Sequence, residues 1–312
     1  MSIKKIFITG GTGCIGHYIV EEALRSFPHS ELHLLCRDKT RLRADLEKKE
    51  AVHCHIGSME TINDLSDILA QMDALIHIAT PWGDEEKTVD INVTQAISLL
   101  NNLDPNRIQK IIFFSSASIL KPGNQLSDEA NQYGTPYIRS KYLIYQETKK
   151  HPLSKKIITV FPTLVFGGDD THPYSHISEG LQHASSYISY LRFLNFSLKF
   201  HFCHGADIAS VTCGLLDGQQ TQGDFVIGGD VMTAKQTIQL LAKSLKKRLY
   251  FQLYIPTSII FLITKILRLQ LHPWDKHCIK NPIFEYTTTT PKSLNRKYHY
   301  PSFEAIVKPY LK

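Results

Sequence analysis

The sequence predicts an α/β protein, a doubly wound parallel sheet of Rossmann type with a smaller C-terminal lobe. Three observations predict it. Short β-branched or aromatic runs alternate with longer helical patterns over the first 165 residues. The turn "FITGGTGCIG" (7–16) directly follows the first run at the mouth of a helix, and the alternation breaks after about residue 165. Apolar runs of this kind, separated by helices, belong to strands buried on both faces.

In chain order, strands are expected at 4–9, 31–36, 51–56, 73–79, 110–116 and 156–161, and helices near 14–26, 61–72, 86–103 and 137–150. Together they make residues 1–165 a dinucleotide-binding core. Residues 166–312 form mostly a substrate-binding lobe, with some strands returning to the core sheet. That part opens on "FGGDDTHPYSH" and continues through an aromatic-rich stretch (187–203) and a further strand-and-helix unit, "DFVIGGDVMTAKQTIQLLAKSL". The lobe is expected over the carboxyl edge of the sheet, where open α/β folds bind ligands.

Composition excludes several classes. Six cysteines fall at irregular spacings with no C-x-x-C, which gives no zinc site, no metal centre, and a reducing, cytoplasmic setting. A net charge of +6 is spread along the chain without aromatic interleaving, so nucleic acid is not an expected partner. "MSIKKIFITGG" has too short an apolar run for a signal peptide. The lipophilic stretch 249–271 is interrupted by Lys265 and Arg268 and is too short to span a bilayer. Ile259, Leu262, Ile263, Ile266 and Leu267 recur there at helical spacing, which predicts a core or substrate-lid helix in preference to a peripheral membrane anchor over 257–271.

The glycine turn places Gly11-x-Gly13-x-x-Gly16 between a strand and a helix. Glycines there allow a tight turn and close backbone approach to a pyrophosphate, while the helix N-terminus offers unpaired N–H groups to the anion. The residue leaving the second strand is Arg37, where NAD sites usually carry an acid. A guanidinium there accepts a 2′-phosphate, which points to NADP(H); Asp38, one residue on, leaves NAD(H) open.

"TPYIRSKYLIYQETKK" (135–150) holds two tyrosine–lysine pairs, Tyr137/Lys141 and Tyr145/Lys149. The pattern alone does not choose between them. The residues around it resemble the extended short-chain dehydrogenase/reductase family, also described as the NAD-dependent epimerase/dehydratase family, from the glycine turn to roughly residue 240. Thr9, Gly10, Gly13 and Gly16 match T-G-x-x-G-x-x-G, Asn92 matches the asparagine after the fourth strand, "FFSSAS" matches the serine ending the fifth, and "PYIRSK" matches P-Y-x-x-S-K. Tyr145 has no such surroundings and lies about 12 Å further along the helix, so the resemblance selects Tyr137 and Lys141.

The resemblance implies Tyr137 as acid or base, Lys141 as the cation that lowers the phenol's pKa and holds the ribose, and Ser116 as a second hydrogen bond to the substrate oxygen, with Ser115 and Ser118 as close alternatives. It implies a dinucleotide held by the turn residues Thr9, Gly10, Gly11, Thr12, Gly13, Cys14, Ile15 and Gly16. Arg37, Ala79 and Pro162 join Tyr137 and Lys141 in the same role. His204 and Asp207 in "CHGADIA" are expected to organise the lobe.

Departures narrow the substrate. Phe200 stands near the place where nucleotide-sugar members carry an arginine for the diphosphate, with Lys199 beside it, and Ser58 stands where an aspartate often meets the adenine. The expected function is therefore an NADP(H)-dependent oxidoreductase interconverting a carbonyl and a secondary alcohol on a fairly lipophilic small molecule, closest to the dihydroflavonol-reductase and 3β-hydroxysteroid-dehydrogenase branches. A nucleotide-sugar epimerase or dehydratase with retained NAD is the alternative, and a dinucleotide-binding regulator or assembly factor the non-enzymatic one. The chain is expected to act as a homodimer or monomer.

Overall fold

A computed structural model describes residues 3–81, 85–184 and 188–311; residue 187, at the edge of the aromatic-rich stretch, lies outside the described residues. Six strands form where the apolar runs stand: β1 (Lys5–Thr9), β2 (Glu31–Cys36), β3 (Val52–Ile56), β4 (Ala74–His77), β5 (Lys110–Phe114) and β6 (Ile157–Pro162). After β6 come β7 (Leu164–Phe166), β8 (Lys199–His204), β9 (Gly223–Ile227), β10 (Val231–Thr233) and β11 (Thr288–Thr289). The main sheet has eight strands in the order β11-β9-β6-β5-β4-β1-β2-β3, and every pairing is parallel. The order reverses between β1 and β4, and the carboxyl ends of these two strands border the cleft described below.

The near-continuous apolar runs are explained by burial on both sides. Ile6 and Ile8 of β1 pack with helices α1 (Cys14–Ser26) and α4 (Gly205–Asp217) on one face. Phe7 points the other way, with Phe113 and Leu75, toward helices α2 (Ala96–Asn101) and α3 (Pro136–Lys150). The two-residue alternation therefore sends side chains to two separate cores.

The expected helix at 61–72 is a 3₁₀ helix, Met59–Leu65, followed by one α turn, Ser66–Leu69; Thr61 leaves helical geometry at φ −108°. The helix expected near 86–103 begins at Glu85–Val89, widens into a π turn over Asp90–Gln95 and ends as α2.

The lobe contains a three-stranded sheet in the order β10-β8-β7. The amphipathic helix α5 (Thr257–Ile266) departs from expectation: none of its residues is buried. Thr257 and Ile260 line a pocket, as a lid would, but the stripe expected to face the core faces solvent. Periodicity locates such a stripe and does not say what it faces. Among the described residues no helix is long and apolar enough to cross a membrane.

Far from the carboxyl edge, ligand atoms of Glu31, His33 and His53 lie within 4.8 Å of one another at the start of β2 and on β3.

Candidate active site

The turn after β1 is built by steric necessity. Gly10 has φ +76°, and a Cβ on it would meet the Ala79 nitrogen at 2.8 Å. A Cβ at Gly16 would fall 2.1 Å from the Gly10 carbonyl oxygen, so only glycine lets α1 start this close to β1. Gly13 caps α1 with no side-chain hydrogen bond and no acid in the first turn, leaving the helix N–H groups available at the cleft.

That cleft, about 640 Å³, is lined by Gly10, Thr12, Gly13, Cys14, Ile15 and Gly16, and further out by Arg37, Ala79 and Pro162. Thr9 and Gly11 stand behind its wall. The buried Thr9 hydroxyl bridges β1 to β4, bonded to His77 Nδ1 at 2.8 Å and accepting from the Ile78 and Ala79 N–H groups. Gly11 faces Leu34 and Val20.

Beside the end of β2, Arg37 and Arg41 line the cleft, whereas Lys39 pairs with Glu47 at 3.5 Å. Asp38 turns aside: its carboxylate accepts from the N–H and hydroxyl of Thr40 and caps a 3₁₀ turn. Of the two residues that follow β2, Arg37 lines the cleft and Asp38 does not.

At the other end, α3 begins with Thr135 as N-cap and Pro136 in the first turn, which fixes Tyr137 and Lys141 one turn apart on the cleft side. Their position is held from behind. Thr80 donates to Asn92 Oδ1 at 2.9 Å, Asn92 Nδ2 donates to Ser140 Oγ at 2.9 Å, and the Ser140 hydroxyl donates to the Tyr137 carbonyl at 2.8 Å. Asn92 sits on the π turn, a single-turn distortion of the type that often marks functional positions.

The second pair serves structure. Tyr145 and Lys149 both bind Asp224, at 2.9 and 2.7 Å, tying α3 to β9.

Electrostatics modify the expected picture. Burial outweighs the expected lowering of the Tyr137 phenol. Burial pushes Tyr137 up to about 12, countered in part by a hydrogen bond with Ser116. Burial also pulls Lys141 down to about 8. Its Nζ donates to the Phe114 carbonyl at 3.0 Å and stands 5.8 Å from the Tyr137 ring centroid. Desolvation dominates both groups: Lys141 is buried outright, and Tyr137 is half-buried in the cleft wall.

Of the three serines, Ser116 alone bonds the phenol; its hydroxyl also meets that of Ser118 at 2.8 Å, while Ser115 Oγ is buried without a partner.

Ser116, Pro162, Thr163 and Leu164 also line a second chamber of about 580 Å³, so the two spaces meet at Ser116, two residues past the end of β5. Ala117 and Ser118 complete the core side of its wall, and the rest comes from the lobe, including Phe200, Ile260, Trp274, Phe284 and Tyr286. Among the described residues the wall carries neither lysine nor arginine, and Asp275 is its one carboxylate. His201 in the wall has both ring nitrogens engaged, donating to the Gly229 carbonyl at 2.7 Å and accepting from the Tyr286 N–H at 3.0 Å. Lys199 is paired with Glu285 at 2.8 Å. Trp274, Phe284 and Tyr286 follow no periodic pattern, and nothing in the sequence marked them as pocket residues.

A glycine cradle at a helix N-terminus, at the switch point of a parallel sheet, defines a dinucleotide-binding Rossmann protein. Residues 6–228 match the model of the NAD dependent epimerase/dehydratase family, and the chain belongs to that family. A UDP-glucose 4-epimerase of Mycoplasma pneumoniae is 26% identical over 155 residues, 45% of this chain and 46% of that protein, so the match spans about half the length of this relative. Two solved structures are similar throughout. The UDP-N-acetylglucosamine 4-epimerase of Methanobrevibacter ruminantium M1 superposes with a TM-score of 0.66 at 16% identity, covering 100% of this chain and 98% of that one. A dTDP-glucose 4,6-dehydratase of Bacillus anthracis, solved with NAD, gives 0.64 at 16% identity over 99% and 95%. At these identities the likeness establishes the fold.

Proposed function

We propose that this protein is an NAD(P)(H)-dependent enzyme that interconverts a secondary alcohol and a carbonyl on its substrate, with Tyr137 as acid and base. The supporting observation is the placement of Tyr137, Ser116 and Lys141 where the dinucleotide cleft meets the apolar chamber. The cleft suits a dinucleotide: α1 presents uncapped N–H groups for the pyrophosphate over a glycine cradle that a Cβ would fill. When bound, the nicotinamide supplies the hydride or accepts it. In the reducing direction Tyr137 gives its proton to the substrate oxygen as alkoxide charge develops, and in the oxidising direction it takes that proton back. Ser116 donates to the same oxygen and holds it in line with the phenol. Lys141, buried at about 8, supplies positive charge beneath the phenol and a donor for the ribose hydroxyls.

For the substrate, the chamber favours a fairly lipophilic, uncharged molecule. A nucleoside diphosphate would bring two negative charges to a wall without a cation, and Phe200 and the Glu285-bound Lys199 leave no clamp. A second reading, a nucleotide-sugar epimerase or dehydratase that keeps NAD bound, is favoured by what the similar proteins are named for.

The test separates them. The purified chain is denatured, and released nucleotide is identified by mass spectrometry. Lipophilic ketones and alcohols are then screened by nicotinamide absorbance, and UDP-glucose and UDP-N-acetylglucosamine are titrated calorimetrically. Turnover of lipophilic carbonyls with no nucleotide-sugar binding supports the first reading; micromolar affinity for either sugar replaces it with the second. In both, Tyr137→Phe lowers kcat by about 10²–10⁴ with cofactor binding intact, while Tyr145→Phe leaves turnover unchanged. The reverse ranking removes the assignment.

A further inference from the structure

The segment after residue 245 combines three features that its role as a pocket lid does not require. First, Ile259, Leu262, Ile263 and Ile266, spaced i, i+3, i+4 and i+7 on α5, are 40%, 54%, 44% and 69% exposed. An amphipathic helix buries such a stripe, and this one presents it outward. Second, the neighbouring chain extends the surface: Tyr250, Phe251, Leu253, Tyr254, Leu267 and Leu269 are all more than half exposed. Contiguous apolar surface of this kind marks an interaction site, and Tyr and Phe suit the boundary between water and hydrocarbon. Third, residues 231–272 contain seven Lys and Arg and no Asp or Glu, and Lys246, Lys247, Arg248, Lys265 and Arg268 are exposed beside the apolar side chains.

We propose that residues 246–269 dock this protein on the surface of an anionic lipid bilayer, with α5 lying in the interface plane. At ten residues α5 is about 15 Å long, half the hydrocarbon thickness, so it lies on the bilayer and does not cross it. Charge selects lipid over a second copy of this chain. A two-fold interface sets the same patch against itself, which here brings cation against cation with no acid in the segment to answer them. Anionic headgroups answer all of them at once, while the stripe enters the acyl boundary. The inner side of α5, through Thr257 and Ile260, remains the chamber wall. The docking does not depend on which substrate that chamber takes.

The experiment is sedimentation of the full chain with vesicles of phosphatidylcholine alone, and of phosphatidylcholine with about one-quarter phosphatidylglycerol, at about 0.1 M and about 1 M salt, where screening shortens from about 10 Å to about 3 Å. Binding is expected to the anionic vesicles, weakened at high salt. Each cation contributes about fivefold, equivalent to ~1 kcal/mol, so Lys247→Glu with Arg248→Glu lowers affinity at least ~25-fold. Leu262→Glu with Ile266→Glu abolishes binding while, being exposed, it leaves the melting temperature unchanged. The proposal is overturned if the wild type stays in the supernatant with both vesicles, or if the Lys247/Arg248 variant sediments as the wild type does. It is also overturned if the wild type forms a dimer that the Leu262/Ile266 variant dissociates, which assigns the face to a second copy.

Discussion

At the residue scale, Lys141 carries a cost that its location explains. Burial lowers its folded-state pKa from 10.5 to about 8. Between those values the unfolded chain holds the proton that the folded chain releases, so the group makes stability rise with pH across that window; below about 8 the full penalty applies. Lys141→Met should therefore stabilise the protein at pH 7 by ~1–3 kcal/mol and end turnover, a gain that shrinks to nothing above pH ~10.5. Urea titrations of both proteins at the two pH values check it. The same shift gives the wild-type enzyme an alkaline limb: kcat/KM for carbonyl reduction should fall as pH passes about 8, because the ammonium beneath Tyr137 is lost. A limb nearer 10.5 would mean that the cleft hydrates Lys141.

Arg37 makes a second prediction at this scale. With Asp38 occupied by Thr40, Arg37 is the charged residue at the end of β2 that lines the cleft. A charge-assisted bond to a 2′-phosphate is worth ~1.5–3 kcal/mol, so Arg37→Ala should weaken NADPH binding roughly tenfold to a hundredfold and leave NADH almost unchanged. Arg41, also at the cleft, would share the phosphate and soften the effect. Equal weakening of both cofactors makes Arg37 an ordinary surface arginine.

At the scale of elements, what the sequence disclosed depended on how many residues carried each signal. The six core strands were legible because each is a run of four to six residues rich in apolar side chains and set between helical patterns. The glycine turn was legible because only glycine fits at positions 10 and 16. β11 was not, since its two threonines sit in a run of four with no apolar alternation. The direction of α5 was hidden because a stripe looks the same whether it meets core or solvent. The choice among Ser115, Ser116 and Ser118 needed side-chain geometry that spacing does not contain.

Lys110 illustrates a role for which the sequence offered no sign. It lies at the start of β5, yet its buried ammonium donates to the carbonyls of Leu215, Leu216 and Gly218, capping the C-terminus of α4. Lys110→Met leaves those carbonyls unpaired against a helix dipole and should cost ~2–4 kcal/mol, read as a fall in urea midpoint with unchanged slope.

At the scale of the whole molecule, the lobe and the core are joined by the C-terminal tail. Tyr286 donates to the carbonyls of Ala117 and Leu120, and β11 adds an edge strand to the main sheet. Further on, Ser210 of α4 holds the Lys297 carbonyl, His204 stacks on Tyr300 at 3.7 Å and bonds the Tyr310 hydroxyl at 3.2 Å, and Asp207 accepts from the N–H groups of His299 and Tyr300. His204 and Asp207 thus act as fasteners between α4 and the tail, away from the cleft. Burial raises Asp207 to about 6, so the folded state holds its proton more tightly than the unfolded one; this contribution is complete below the ordinary 3.8 and lost as pH rises through about 6. At pH 7 the carboxylate is a burdened group kept for its two backbone bonds. Asp207→Asn keeps an acceptor and removes the buried charge, so it should change stability little at pH 7. Asp207→Ala orphans two N–H groups and should cost ~2–4 kcal/mol. Because the tail closes both parts of the chain, that loss should shift one cooperative unfolding transition, with near- and far-ultraviolet circular dichroism coincident. Separate transitions for tail and core, or an Asn variant as damaged as the Ala variant, would show that Asp207 does not tie them together through those bonds.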